Sequence, residues 1–587
     1  MDSQANPGKL ASESVITHAL PNPEDATELT YQYRSAQEHL LADEETKAWY
    51  AGAKKRASAN ETEAGDVLSK IRESERIKPT LFGNLASETV PGSDTRDMGG
   101  RFLANKSRID KSQLFQIARQ MPKGCHLHIH FNSELPPEIL LPHARSPAMH
   151  DTMFVRTTRP MCNARDFVSA EIVFHVLPKE TEKGNCFKPD YNPDLKDQDS
   201  SPWMLWADFQ KAFPSGVECE DRAEGLNDAE CWAREKMVVT LHDVYDAQQT
   251  HNGAWACFNQ NTRALKGLVN HESVYRWYIG NAIDSMIRDH VMYAELRPML
   301  MDKSIPSDDG TRQLDHSAQM TILCEEVHKK KDALEKSNRL DRFPFGLKII
   351  YCTPRSIPKS RMQTELHDCI KLKQQFPDLI CGFDLVGAED RPNSIGFYTK
   401  ELIGFTETCK NLNISIPFMF HAGESLLDAG GSASAENSNL YDALLLNCKR
   451  IGHGFALLKH PLLVEKYKKQ DICLELCPIS NELLQLCRNV REHPFPALLA
   501  AGLHCTLNAD NPGLYRGATR DSSSLSYEFY QVMVGDLRMN IHGWKQLAEW
   551  SIKYSCLTAA EQEHAMKVFA RDWEAFCGWI ICNFGAG

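Results

Sequence analysis

The chain has 587 residues, 42% hydrophobic and 25% charged, a make-up suited to one large globular domain with appendages or to several domains. Its 66 Lys and Arg against 78 Asp and Glu give a net charge of −12. That balance excludes a general binder of nucleic acid or of acidic membrane surfaces, both of which favour basic patches. No apolar run reaches the roughly 18 residues of a membrane span, so no membrane partner is expected. The opening MDSQANPGKLASESVITHAL has neither a basic leader nor a continuous apolar core, so no secretory signal is read. The 19 cysteines are odd in number and scattered through apolar segments, among them Cys381, Cys473, Cys477 and Cys505. Buried thiols in a reducing compartment account for them better than a disulfide framework does, and a cytoplasmic location is expected.

Residues 1–30 are polar and punctuated by proline and read as a flexible lead-in. Residues 31–110 read as a helical arm, with one or two amphipathic helices between Tyr31 and Arg76. From residue 111 to 583 the pattern becomes strand, then helix, repeatedly. Strands are expected at Gly124–Phe131, Met292–Arg297, Gly346–Tyr351, Cys381–Val386, Ile416–Phe420, Arg450–Gly452, Ile472–Cys477 and His504–Asn508. Helix-patterned segments such as Ser317–Ser337, Arg361–Gln375, Asn393–Asn411, Leu440–Asn447 and Asn481–Cys487 lie between them. This alternation predicts an α/β fold with a parallel sheet, and eight units predict a (β/α)8 TIM barrel with its active site at the C-terminal strand ends. The first two strands stand far further apart than the ~30 residues an ordinary crossover needs. The excess is assigned to a subdomain inserted after strand 1, at about residues 145–202. Residues 540–583 read as closing helices.

Four strand tips carry candidate ligands: His128-Ile129-His130, His421-Ala422-Gly423-Glu424, Gly452-His453-Gly454 and Asp510-Asn511-Pro512. Side chains two apart on a strand share a face, so His128 and His130 point into one space, a common geometry for zinc. His126 shares that face deeper in the strand and reads as structural. His421 supplies a third nitrogen, and Asp510 a carboxylate. Glu424, on the turn after strand 5, is placed to donate a proton from a shielded carboxyl group. His453, between two glycines, is placed to orient a water. Each tip alone has an ordinary explanation: core histidines, a helix N-terminal Glu, a turn, an Asx-turn before proline. Their convergence at one end of one barrel points to a metallohydrolase holding one Zn2+ per chain.

The chain resembles the adenosine and AMP deaminase group of zinc hydrolases, and within it the adenosine deaminase-related growth factors. The residues that carry the resemblance are Met121-Pro122-Lys123-Gly124, Leu127–His130, Phe383-Asp384-Leu385-Val386-Gly387, Phe420–Glu424, Arg450–Leu457, Cys477-Pro478-Ile479-Ser480-Asn481, Leu525–Tyr530 and Ser551–Ser555. They are colinear and span most of residues 110–575. The resemblance implies that His128, His130, His421 and Asp510 ligate zinc. It makes Glu424 the proton donor to purine N1, His453 the residue that acts on the water, and Gly387 a backbone contact to the base. It places a substrate-covering helix at Trp206–Phe213 and a homodimer through the N-terminal helices. The implied reaction is deamination of adenosine or a related 6-aminopurine nucleoside, with AMP or another amino-heterocycle as the alternative substrate. A non-catalytic interaction protein that keeps the fold is the third reading. No glycine-rich phosphate loop is present for AMP, although Arg297 and Arg355 near strand ends could bind an anion. The chain departs from the family at Asn511, where an Asp contacts purine N7, and at Asn132, where many relatives have an Asp near the ribose. Ala388 stands in place of a His, and the expected secretory signal is not read.

Overall fold

A computed structural model describes residues 27–585 except 88, 195–200, 220–221, 301, 390–391, 429–438 and 518–523. Most of the expected lead-in, and residues 195–200 of the expected insertion, therefore lie outside the described residues. The chain divides into two compact units between Arg56 and Ala57. In the first, the helix Thr27–Thr46 buries none of its residues, and a short helix, Ala51–Lys55, follows. The division falls inside the stretch read as one arm, because the helix Ala59–Ile77 is bound into the larger unit. Its buried Glu61 accepts hydrogen bonds from His542 and Lys545 of the helix Ile541–Lys553 at 2.7 and 2.6 Å. Ser58 and Asn60 bond to Glu574 of the last helix, Ala559–Phe584.

Eight strands build the core of the larger unit: β1 (Gly124–His130), β2 (Val291–Arg297), β3 (Leu347–Pro354), β4 (Ile380–Val386), β5 (His421–Ala422), β6 (Arg450–His453), β7 (Cys473–Leu476) and β8 (Cys505–Leu507). They pair in chain order as two four-stranded sheets, every pair parallel. Every residue of β2 and β4 is buried, as expected for parallel strands covered on both faces. Backbone bonds also cross both seams between the sheets. At one seam the Phe383 N–H donates to Pro417 O and the Met419 N–H to Phe383 O, both at 3.0 Å. At the other, the His130 N–H donates to Asp510 O at 2.8 Å and the Asp510 N–H to His128 O at 3.2 Å. The segment leading into β5 thus bridges to β4 and the segment leaving β8 bridges to β1, and the C-terminal ends of β1, β5, β6 and β8 come together.

The strand expected at Ile416–Phe420 differs from the one found. Pro417 has no N–H to give to a ladder, and the segment meets β4 only through a bridge between Phe383 and Phe418. The ladder with β6 starts later, pairing His421 with Gly452 and Ala422 with His453. The helix expected at Asn481–Cys487 begins earlier, at Pro478, and ends at Leu483, because proline at the first helical position is already set for the helix. Between β1 and β2, residues Met153–Thr157, Ile172–Val176 and Met204–Leu205 form a separate antiparallel sheet. The helices His251–Val269 and Glu272–Arg288 then lead back to β2.

Candidate metal centre and substrate cavity

These strand ends bring His128, His130, His421 and Asp510 together, with one ligand atom from each lying within 4.8 Å of all the others. His130 Nε2 faces His421 Nε2 at 3.4 Å and Asp510 Oδ1 at 3.2 Å, and His128 Nε2 is 3.5 Å from the same oxygen. His128 Nε2 and Asp510 Oδ1 are buried and lack a hydrogen-bond partner among the described residues. Facing acceptor atoms left unbonded in a buried space fit a divalent cation, which would satisfy all of them at once. Asp510 itself is held at φ +57°, a left-handed backbone uncommon outside glycine, which turns its carboxylate back over β1. Gly452, opposite His421, allows the close approach: a Cβ there would lie 2.7 Å from His128 Cε1.

Carboxylates behind the cluster orient the imidazoles. Glu475 Oε2 lies 2.8 Å from His128 Nδ1, and Asp384 Oδ2 lies 2.8 Å from His421 Nδ1. Each carboxylate is therefore set to accept a hydrogen bond from Nδ1–H, which leaves Nε2 as a lone pair toward the centre. Burial alone would push the Glu475 carboxyl up, but Arg297 and Arg450 outweigh it and hold it well below the ordinary range. Burial likewise opposes the Asp384 charge, and His421 and Arg297 reverse that, keeping Asp384 ionised. Burial pushes His421 down to about 4, so its ring is neutral, as a ligand must be. Arg297 is fully committed to Asp384, Glu475 and the Leu127 carbonyl, which removes it as an anion site. His126 accepts from the Ala509 N–H at 3.0 Å and is structural, as expected.

Glu424 and His453 face each other, with Oε1 and Nε2 3.4 Å apart, and neither atom has a hydrogen-bond partner among the described residues. Burial, reinforced by Asp510 and Glu389, raises the Glu424 carboxyl well above its ordinary value, which favours its protonated form. Glu389 accepts from the backbone N–H groups of Gly423 and Glu424 at 2.9 and 2.7 Å and so fixes the turn. A one-way chain of hydrogen bonds sets the tautomer of His453. The Phe495 N–H donates to His493 Nδ1, His493 Nε2 faces Asn481 Oδ1, and Asn481 Nδ2 faces His453 Nδ1, each at 3.0 Å. A backbone N–H can only donate, so neutral His453 carries its proton on Nε2, toward Glu424.

A cavity of about 370 Å³ opens beside these groups. It is lined by His130, His421, Glu424 and Asp510, and also by Asn132, Gly387, Ala388 and Asn511. Gly387 takes φ +98° there, and Asn511 Oδ1 is 2.8 Å from Ser133 Oγ. Arg355 also lines the cavity. Its Nη2 donates to the carbonyls of Leu385 and His421, while Nε and Nη1 have no hydrogen-bond partner among the described residues.

Trp206 and Phe213 are not brought to this cavity. They pack in the inserted subdomain, Trp206 against Phe174 with ring centroids at 4.9 Å and Phe213 against Trp232 at 5.7 Å. The aromatic cover comes instead from the helix His251–Val269, through Trp255 and Phe258, with Asn259, Thr262 and Leu265 beside them. Those positions recur at helical spacing, which is the sequence signal that marks one face. Asp384, Glu475 and Asn481 were also without assigned roles. The trace of the first two is a charged residue inside an otherwise apolar strand, which survives burial only when paired.

The family model described as adenosine deaminase matches residues 235–569, and the chain belongs to the adenosine deaminase family, the one its motifs resemble. It is 31% identical to adenosine deaminase 2 of Sus scrofa over 483 residues, covering 81% of this chain and 82% of that one. It is 30% identical to adenosine deaminase 2 of Homo sapiens over 81% of this chain and 82% of that one. Among solved structures, the N6-mAMP deaminase of Arabidopsis aligns at a TM-score of 0.49 with 14% identity, over 78% of this chain and 99% of that one.

Proposed function

We propose that the chain is a zinc-dependent hydrolase that deaminates adenosine or a related 6-aminopurine nucleoside, giving inosine from adenosine and releasing ammonia. The observation that carries the reading is the four-ligand cluster with Glu424 and His453 facing each other beside it, burial favouring the uncharged form of both. His128, His130, His421 and Asp510 would hold one zinc ion per chain. A zinc ion held there would supply hydroxide at neutral pH, since it lowers the pKa of water from ~15.7 to about 7.

The chain's own residues do the rest. Glu424 Oε1 donates its proton to purine N1 as C6 becomes tetrahedral, so the ring nitrogen gains no negative charge. His453 Nε2–H donates to the attacking oxygen and holds it on the C6 face. The Gly387 backbone offers a hydrogen bond to the base, and the Asn511 amide is placed to donate to N7. Unlike an Asp, that amide neither carries charge nor passes a proton. Asn132 stands where the ribose is expected, and Trp255 and Phe258 exclude water from the bound base.

A second reading, AMP as substrate, is favoured by the Arg355 guanidinium in the cavity wall, whose Nε and Nη1 have no hydrogen-bond partner among the described residues. Zinc analysis of the purified protein, followed by initial rates with adenosine, deoxyadenosine and AMP, tests both readings. About one zinc per chain and fastest turnover of adenosine are expected. A zinc-loaded protein that turns over no aminopurine would end the substrate assignment and leave the metal site standing.

The helix Thr27–Thr46 exposes Leu29, Tyr31, Tyr33, Leu40 and Leu41, each at more than 60% of its surface. That apolar surface supports a homodimer through the N-terminal helices. Among the described residues no helix is long and apolar enough to cross a membrane. Nineteen free thiols support a reducing, cytoplasmic setting.

A further inference from the structure

Away from the cavity, Cys381 at the start of β4 and Cys556, in the turn between the last two helices, lie with their sulfurs within 4.8 Å of each other and of Glu295. Two cations converge on one of these sulfurs. Lys449 Nζ is 3.6 Å and Arg450 Nη1 3.9 Å from Cys556 Sγ, in hydrogen-bonding geometry. Cys381 is buried while Cys556 is partly exposed. No step of the deamination uses either thiol.

We propose that Cys381 and Cys556 form a redox-active pair, a modification site in which Cys556 is the thiol attacked first by a hydroperoxide and Cys381 resolves it to a disulfide. The requirements for such a site are a thiolate beside cations, a path for a small oxidant and a second thiol in reach. Cys556 Sγ also lies 3.8 Å from the Cys381 carbonyl, and the Cys556 thiol is lowered from its ordinary value by the hydrogen bond from the Cys381 thiol and by Arg450 and Lys449, against burial and the Glu295 carboxylate. Burial keeps Cys381 protonated.

The steps balance. The Cys556 thiolate attacks the peroxide O–O bond, forming a sulfenic acid and releasing an alcohol or water. The Cys381 sulfur then attacks the sulfenic sulfur, an S–S bond forms, and the displaced oxygen leaves as water with the Cys381 proton. The peroxide is reduced by two electrons and the thiol pair is oxidised by two. The sulfurs must close from within 4.8 Å to about 2.05 Å, with the movement on the side of Cys556, in the turn. The other chemistry available to Glu295, Cys381 and Cys556, a second metal site, is opposed by the cations. Arg450 already pairs with Glu295 at 2.5 Å, and Lys449 sits on the sulfur a metal would need.

The full-length protein, zinc-loaded, should be treated with a small excess of hydrogen peroxide and mapped by non-reducing peptide mass spectrometry. The expected result is loss of two hydrogens per chain, a linked peptide pair carrying Cys381 and Cys556, and reversal by a dithiol. This should precede oxidation of the exposed Cys162 and Cys582. In Cys381→Ser, the sulfenic acid on Cys556 should be trapped by dimedone, and in Cys556→Ser Cys381 should remain reduced. Oxidation of Cys162 and Cys582 before any linked pair appears would overturn the proposal. So would a metal content that falls from two per chain to one in Cys556→Ser.

Discussion

At the residue scale the chemistry rests on which atoms hold protons before substrate arrives. Burial pushes the Glu424 carboxyl toward its protonated form, and Gln at this position keeps the shape and cannot give a proton. Glu424→Gln should therefore lower kcat by ~10²–10⁴-fold while zinc content stays unchanged, read by steady-state rates beside metal analysis. Asn481 never reaches the cavity, and it is a positioning residue: its amide holds His453 Nδ1 and leaves the proton on Nε2. Asn481→Ala should cost about 10–100-fold, mostly in kcat rather than KM, because it frees the tautomer and not the substrate. A loss confined to KM would contradict this role. The ligand types and their spacing were legible in the sequence, since histidines two apart on a strand must share a face. The hydrogen bonds that set their protonation were not, because Glu475, Asp384 and Asn481 act across strands far apart in the chain.

At the element scale, register decides what fits. Pairing of His421 with Gly452 sets the β6 backbone against the His128 ring, so Gly452→Ala should displace His128 and weaken zinc binding by about 10–100-fold, measured by chelator competition. The covering helix is where the sequence misled. Trp206–Phe213 has the aromatic content of a lid, but its rings are consumed by the core of the inserted sheet. The helix His251–Val269 presents Trp255 and Phe258 to the cavity instead. Losing the apolar contact of one buried aromatic costs ~1.5–3 kcal/mol, so Trp255→Ala should raise KM about tenfold or more. Phe213→Ala should leave KM near its wild-type value. Equal effects of the two substitutions would restore the original assignment.

At the scale of the whole molecule, buried ion networks tie the strands and the closing helices together. Arg450 bonds to Glu295 and Glu475 with all three side chains fully buried; Arg450→Met takes the guanidinium away from the buried Glu295 carboxylate, while Glu475 keeps Arg297, and should destabilise the fold by ~3–5 kcal/mol, measured by denaturant unfolding. The Glu61 clasp makes a pH prediction. Burial raises its carboxyl, but His542 and Lys545 outweigh that and bring it below the ordinary 4.5. Folding thus favours the ionised form, and its contribution is complete above the ordinary value and lost as pH falls through the lower folded value. The Tm gap between wild type and Glu61→Gln should be widest near neutral pH and close in acid. The alternation of strand and helix made the eight-fold core legible from sequence. The division at Arg56 was not, because helix pattern alone does not say which partner a helix packs on.

Release of ammonia from adenosine by the zinc-loaded protein, with Glu424→Gln assayed beside it at equal metal content, tests the central claim most directly. Ammonia and inosine appearing in equal amounts from the wild type, with the rate falling ~10²-fold or more in Glu424→Gln, is the predicted result. Equal rates from the two proteins, or a zinc-loaded wild type that leaves adenosine intact, would contradict it.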